Sequence, residues 1–557
     1  MKIFYRKINK RKNKKSMNLL SKNSPVEESI LKMKAVLNDV GCEASFSQEK
    51  NPLKNCFSVN LASNEAPNHI YSNGKGVISQ ASIASAYGEY IERLQTNNFF
   101  IDFHLPNRKY YPDEVAFEFG GDYLNKELKK IYNPNKDLED KDLVDFNSDY
   151  MDKIVSLPFI NQTNNKKTYI PINILSNLFA SNGLATGNTA NEAKVQALSE
   201  IVERYVKFKI IKNGFSLPTF PTEVIKSFPK VYEDVQSLKK LGYIVEVLDA
   251  SLDGNFPVTA ISLINPKNST LFVSFGSHPI LEVSLERTMT ELMQGRDLTN
   301  LDGFEIPTFD MELVSNNFNL EAHFIDSNGK LGFQFLNKIK DFEYSSWKYE
   351  GNSSEEEYEF LFDILKSQNK DIYLREYTYL DFYSCQMIVP DFSEVYPIDD
   401  MIYNNKNQGK LIRDMVLNFE NYDINDILDS IDSLDDSLNM QLFLGVIFKE
   451  NFIMQDFRVQ LLLLLKEFDE ALEILEFSDN KFGQLIAQLI RMENEELVWE
   501  DYEEALYNIY GEEKIQKALN IIDGKEFFIN RTLHQDYHNM LNMYDKLETK
   551  KIAFYKN

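Results

Sequence analysis

Cysteine is almost absent. The 557 residues contain three, Cys42, Cys56 and Cys385, and no Cys-x-x-Cys pair. That excludes a disulfide framework and leaves no readable structural zinc site; each cysteine reads as a small packed hydrophobe. No apolar run approaches the roughly 18 residues that a membrane-spanning helix needs, and the start of the chain lacks the apolar stretch of a secretory signal. A cytoplasmic protein is therefore expected. Basic residues are in deficit: 60 Lys and Arg stand against 85 Asp and Glu, a formal charge of −25. A general nucleic-acid binder needs a basic face, and an anionic membrane surface repels such a chain. Neither nucleic acid nor membrane is expected as a direct partner. Proline is missing from one region: none of the 17 lies beyond Pro397.

What is present divides along the chain. Residues 1–16 are Lys/Arg-rich with no acid, and read as a disordered basic tail or a mis-called start. From 17 to 400, strand and helix patterns interleave, which points to an α/β or α+β core. Phe57–Leu61, Pro257–Ile264, Leu271–Gly276, Asp371–Tyr377 and Ser384–Pro390 read as strands. The segment Tyr71–Gly76 reads as a Gly-containing polar loop, and Ser24–Val40 as an amphipathic helix with Pro25 in its first turn. From 401 to 557, helical periodicity alone remains, and a C-terminal all-α, TPR-like domain is expected, separable at the polar stretch Tyr403–Lys410. Its expected role is dimerisation or protein docking.

The chain is organised around Ser181–Lys209. At about 100° per residue, Glu192, Gln196, Glu200 and Glu203 share an arc of roughly 80°. Val195, Leu198, Ile201, Val202 and Val206 take the opposite side. Gly187-Asn188-Thr189 precedes the helix, with Thr189 or Asn191 as N-cap. A polar stripe is ordinarily a solvated face. Here the pattern repeats: Ser85-x-x-x-Glu89-x-x-Glu92-Arg93 matches Gln196-x-x-x-Glu200-x-x-Glu203-Arg204, and a third acidic helix carries Glu286, Arg287 and Glu291. Solvated faces pair acids with Lys one turn on; these concentrate Glu and end in Arg. Helix N-termini favour anions and clustered carboxylates hold hard divalent cations. Together they make the geometry of a metal–nucleotide complex.

These three acidic helices in this order resemble the YcaO family, in NGKG…SAYGEYIERL, ASNGLATGNTANEAKVQALSEIVERYVKFKII and SFGSHP…LERTMTELMQGR. The likeness runs from about Met17 to the C-terminus and is strongest to the stand-alone bacterial type, which has a helical C-terminal domain. The resemblance implies ATP and Mg2+ as cofactors. It implies Glu89, Glu92, Glu192, Gln196, Glu200, Glu203 and Glu291 around the metal ions. It implies Lys22, Ser29, Ser85, Asn188, Arg204 and Arg287 toward the nucleotide. It implies phosphorylation of a peptide or protein amide oxygen made nucleophilic by a thiol or sulfide adding to the carbonyl. The implied setting is an accessory factor for methylthiolation of a small-subunit ribosomal protein, with a methylthiotransferase as partner, and a homodimer is expected. Azoline-forming relatives end in a proline-rich tail; this chain ends Ala553-Phe-Tyr-Lys-Asn557, which disfavours azoline synthesis. Rival readings are a non-catalytic ATP-binding assembly or regulatory factor, an azoline- or thioamide-forming cyclodehydratase of a peptide natural-product pathway, and a helical scaffold. No catalytic base is assigned.

Overall fold

The computed structural model describes residues 19–556, apart from 65, 68, 69, 300, 326, 327, 479 and the side chain of 302. The basic tail lies outside these residues. The described strands are β1 (Ala44–Phe46), β2 (Lys50–Leu53), β3 (Cys56–Ser63), β4 (Tyr71–Gly76), β5 (Val115–Glu118), β6 (Lys153–Asn161), β7 (Lys167–Pro171), β8 (Leu184–Gly187), β9 (Ile244–Asp249), β10 (Val258–Asn265), β11 (Thr270–Ser277), β12 (Tyr373–Tyr377) and β13 (Tyr383–Ile388). They form three sheets. In the first, β3 pairs with β1, β2 and β4; the second runs β11-β10-β9; the third runs β5-β6-β12-β13-β8, with β7 also on β6. Every strand pairing among them is antiparallel. The core is thus mixed α and β with the antiparallel sheets of an α+β fold.

The longer helices of this core are α1 (Val26–Asp39), α2 (Ser79–Gln95), α3 (Ala190–Asn213), α4 (Pro229–Lys240), α5 (Leu281–Met293) and α6 (Ser354–Ser367). In α3, Val195, Leu198, Ile201, Val202 and Val206 are all buried, as the apolar side of the helical period requires. They join Val258, Ala260, Val273 and Phe275 of β10 and β11 and Cys385 and Met387 of β13 in one core. The central helix therefore sits between two sheets.

One expectation is corrected here. Tyr71–Gly76 is not a loop: as β4 it pairs with β3 from Phe57↔Gly76 to Ala62↔Tyr71. Its glycines serve close packing rather than a turn. A Cβ on Gly74 would lie 1.9 Å from the Ser82 carbonyl oxygen and 2.6 Å from the Ala86 nitrogen of α2.

Beyond β13 the described regular elements are helices: α7 (Asn407–Leu417), α8 (Ile424–Ile431), α9 (Met454–Leu465), α10 (Phe468–Glu476), α11 (Lys481–Asn494), α12 (Trp499–Tyr510), α13 (Glu512–Ile522) and α14 (Gln535–Lys556), with a few short turns of helix between them. They do not all pack on one core of their own. Ile412, Val416, Phe457, Met540, Tyr544 and Leu547 share a core with Val36, Tyr87, Tyr90 and Phe100 of the first part of the chain. A second core holds residues of α9, α10, α11 and α13 alone. Tyr403–Lys410 is not an exposed linker. Asn405, Asn407 and Lys410 are buried. Their side chains donate to backbone carbonyls of Asp142, Val144 and Asp145. Polarity here marks buried hydrogen bonding, which composition alone does not separate from a linker.

Candidate functional site

Three strand-to-helix units present the acidic helices. In each, a glycine near the strand end lets the helix press on the backbone: Gly74 against α2, Gly187 2.7 Å (as a Cβ) from the Ala193 nitrogen of α3, and Gly276 2.4 Å from Thr288 Oγ1 of α5. Gly88 of α2 in turn would set a Cβ 3.2 Å from Thr186 of β8. The acidic stripes of α2, α3 and α5 are thereby brought toward one another.

The start of α3 carries the first cluster. Thr189 is the N-cap, its hydroxyl accepting from the Glu192 N–H at 3.3 Å. Glu192 is buried and meets Lys22 Nζ at 3.1 Å. Asn188 Nδ2 donates to both Glu192 oxygens at 3.2 and 3.1 Å, and Ser29 Oγ donates to Asn188 Oδ1 at 2.9 Å. Lys22, Ser29, Asn188 and Glu192 thus form one network. The segment bearing Lys22 is held by side chains that periodicity did not reveal. Ser21 Oγ donates to Glu357 Oε2 at 2.6 Å and lies 2.9 Å from His278 Nε2. His278 Nδ1 accepts from the Ile280 N–H at 3.0 Å. Burial, with Arg287 and Lys22 nearby, holds the imidazole well below its usual pKa, so it is neutral.

The second cluster lies two to three turns further along α3, about 12 Å from Glu192 to Glu200 at 1.5 Å per residue. Glu89 and Glu92 of α2 pair with Arg93 at 3.6 and 3.4 Å. Glu200 pairs with Arg204 at 2.7 Å, and Glu203 accepts from the Ser277 N–H at 3.2 Å. Glu291 of α5 pairs with Lys75 of β4. Burial pushes the Glu92 carboxyl up to about 8; Arg93 opposes that, and Glu200 and Glu89 add to it. Burial likewise pulls Lys75 down to about 8 against the fields of Glu203, Glu89 and Glu200, with Arg287 adding to the fall. Glu92 and Lys75 thus feel charges carried by the other acidic helices. Arg287 makes no ion pair and its guanidinium no hydrogen bond with any described residue. Ser85 and Gln196 are half-buried on α2 and α3, without a side-chain hydrogen bond to a described residue.

Among the described residues, no three carboxylate, histidine or cysteine side chains stand close enough together to form a ready metal cluster. Glu89, Glu92, Glu200 and Glu291 instead each lie on a nearby cation, Arg93, Arg204 or Lys75, and Glu203 on the Ser277 N–H, because close carboxylates repel. The donors still suit a hard divalent ion: they are all oxygen, and rotation about side-chain bonds frees them. Ser277 Oγ, buried beside the Glu203 contact, has no hydrogen-bond partner among the described residues. Such an orphaned hydroxyl suits a polar ligand at this place. Sequence reasoning gave Lys75, Ser21 and Glu357 no part in the site; it read His278 as a capping or structural residue, and named Arg93 in the motif without a role. Lys75 had a signal, since it lies between two glycines just ahead of an acidic helix. A separate open groove of about 730 Å3 among the C-terminal helices, lined by Glu420, Lys517 and Arg531, contains none of these residues. No described helix is long and apolar enough to cross a membrane.

Residues 73–393 match the family model described as YcaO cyclodehydratase, ATP- and Mg2+-binding. The chain is 34% identical to the ribosomal protein S12 methylthiotransferase accessory factor YcaO of Escherichia coli, over 96% of this chain and 98% of that protein. It is 38% identical to an uncharacterized protein of Haemophilus influenzae, over 82% of this chain and 81% of that one. Solved structures are more distant. A heterocyclase in complex with substrate and cofactor is 15% identical with a TM-score of 0.49, covering 69% of this chain and 55% of its own. A YcaO from Methanopyrus kandleri bound with AMPPCP and Mg2+ is 14% identical with a TM-score of 0.41, covering 70% and 96%.

Proposed function

The chain belongs to the YcaO family, and from that premise we propose that it binds ATP with Mg2+ across α2, α3 and α5 and activates a peptide or protein amide by phosphorylation. One observation carries the reading. Acids from three helices converge on shared cations, Glu92 is buried among like charges, and Arg287 stands beside them with no partner among the described residues. A triphosphate brings about four negative charges to carboxylates, and bound Mg2+ would supply the charge neutralisation that relieves this repulsion. The chain's own residues bind and orient. Lys22, Ser29 and Asn188 hold one end of the nucleotide. Glu89, Glu92, Glu192, Gln196, Glu200, Glu203 and Glu291 hold the metal ions. Arg204 and Arg287 neutralise phosphate oxygens with charge-assisted hydrogen bonds. Phosphoryl transfer needs mainly such positioning and charge neutralisation. The acceptor we favour is a small-subunit ribosomal protein, with a methylthiotransferase as partner. Support comes from the name of the Escherichia coli relative, which aligns along nearly the whole chain. The array α10–α13 is read as a TPR-like docking unit, and the protein as a cytoplasmic homodimer.

Calorimetry tests the nucleotide reading. ATP with Mg2+ should bind, and ATP with excess EDTA should bind at least tenfold more weakly. Equal affinity in EDTA would remove the acids from the metal role. Phosphate release that rises with added substrate protein separates an enzyme from a non-catalytic nucleotide-binding factor.

A further inference from the structure

Lys551, on the last helix, is completely buried. Its ammonium lies over the rings of Tyr111, Tyr379 and Tyr544, 4.8, 5.7 and 4.7 Å from their centroids. It donates to Asn97 Oδ1. A methionine would fill such a space without the desolvation that a buried ammonium costs, so packing alone is a poor account of a lysine here. The acceptor has a special place. Asn97 follows Thr96, the C-cap of α2, in the left-handed conformation at φ 64°. Its Nδ2 donates to the Tyr110 carbonyl, and Tyr379 donates to the Leu94 carbonyl of α2 at 3.3 Å. The next residue, Asn98, accepts from Arg93 Nη1 at 3.1 Å and donates to the Ala180 carbonyl at 3.3 Å. Arg93 in turn pairs with Glu89 and Glu92. From Lys551 to the two carboxylates the path therefore crosses one hydrogen bond, one peptide link, a second hydrogen bond and one ion pair.

We propose that Lys551 is a positioning residue of the nucleotide site: by fixing the Asn97–Asn98 turn, the C-terminal helix sets where Arg93 holds Glu89 and Glu92. This rests on the proposed Mg2+–ATP role of those glutamates. It assigns α14 a function in the site, although the helix lies beyond the matched residues 73–393.

The test uses the full chain with Lys551→Met, Asn97→Gly and the double variant. Glycine keeps the left-handed backbone while removing the acceptor. Two readouts are needed. Hydrogen exchange of the free protein reports the order of residues 89–98, and calorimetry reports affinity for Mg2+–ATP. Each single variant should speed exchange there and weaken Mg2+–ATP five- to tenfold, and the double variant should lose no more than a single one, as for two residues acting through one bond. Native-like affinity in a folded Lys551→Met protein, or additive losses in the double variant, overturns the proposal. If Lys551→Met does not fold, Asn97→Gly decides alone. If the parent binds no Mg2+–ATP, the nucleotide reading fails; unchanged exchange at 89–98 in the variants would then overturn the positioning claim separately.

Discussion

Arg204 Nη1 lies 2.7 Å from Glu200 Oε1, one turn back on the same helix. It also donates to Asn182 Oδ1 at 3.1 Å, and the guanidinium lies over Phe324 at 4.4 Å. Arg287, the matching residue on α5, has no such partners among the described residues. The two arginines of the motif are therefore in different states before any ligand arrives, and their substitution should separate them. Arg287→Lys should leave the free protein's melting temperature within a degree or two, because nothing described is lost. It should weaken Mg2+–ATP about tenfold, since lysine lacks the planar fork. Arg204→Lys should in addition destabilise the free protein by about 1 kcal/mol through the lost contacts to Asn182 and Phe324. Melting curves with and without Mg2+–ATP check both. Equal ligand-induced stabilisation in parent and Arg287→Lys would remove that residue from the nucleotide site.

Gly74 sets where Lys75 stands. Alanine there would place its Cβ 1.9 Å from a backbone oxygen of α2, and backbone cannot swing aside as a side chain can. Gly74→Ala should destabilise by about 3 kcal/mol or more, the upper range for overpacking, and lower Mg2+–ATP affinity in whatever fraction folds. Gly303→Ala is the control, with no described residue other than its chain neighbours within 4 Å of the added atom. Denaturant midpoints that coincide for the two variants would contradict the close β4–α2 contact.

The acidic stripes were legible because a helix repeats every 3.6 residues and α3 obeys that period on both sides. Strand β4 was not, because glycine required by a neighbouring helix has the same spelling as glycine required by a turn. The partners of the site residues were hidden for another reason. Ser21 and His278, or Asn97 and Lys551, meet across hundreds of residues, and local pattern carries no information on such pairs. The same holds for the last helices. Their apolar faces were visible, but not that α7 and α14 dock on the first part of the chain while α10–α13 surround their own core.

Asp234 gives a pH dependence away from the glutamates. It is fully buried on α4 and accepts from Asn55 Nδ2 at 3.2 Å and from Cys56 Sγ at 3.6 Å. Burial pushes its carboxyl from the usual 3.8 up to about 6, against those hydrogen bonds. Between those values the folded protein keeps a proton that the unfolded chain has released. The stability this confers is full below the unfolded pKa and is lost as pH rises through about 6. Asp234→Asn should therefore flatten stability between about pH 4 and 6 and raise it at pH 8 by on the order of 2 kcal/mol. Urea midpoints of parent and variant across that range measure it; parallel profiles would show that Asp234 is ionised throughout.

Proteolysis tests how the helices are divided. If all residues after 400 formed one separable unit, cleavage would fall in the polar stretch 403–410. Asn405, Asn407 and Lys410 are instead buried there, tied to carbonyls of residues 142–145. A protease needs a locally opened stretch of chain, and buried hydrogen-bonded backbone opens rarely. The exposed connections are elsewhere: Asn494–Leu497 between α11 and α12, and Gly524–Phe527 after α13. First cuts should fall at those two places, and the 403–410 stretch should survive until the core itself opens. The fragment ending near residue 496 should stay bound to the C-terminal piece, because α14 shares the first core with α1 and α2. Size-exclusion chromatography of the nicked protein, with mass spectrometry of its pieces, reads both outcomes. Early cleavage at 403–410 with release of a free helical fragment would restore the single-unit division and remove α14 from the first core.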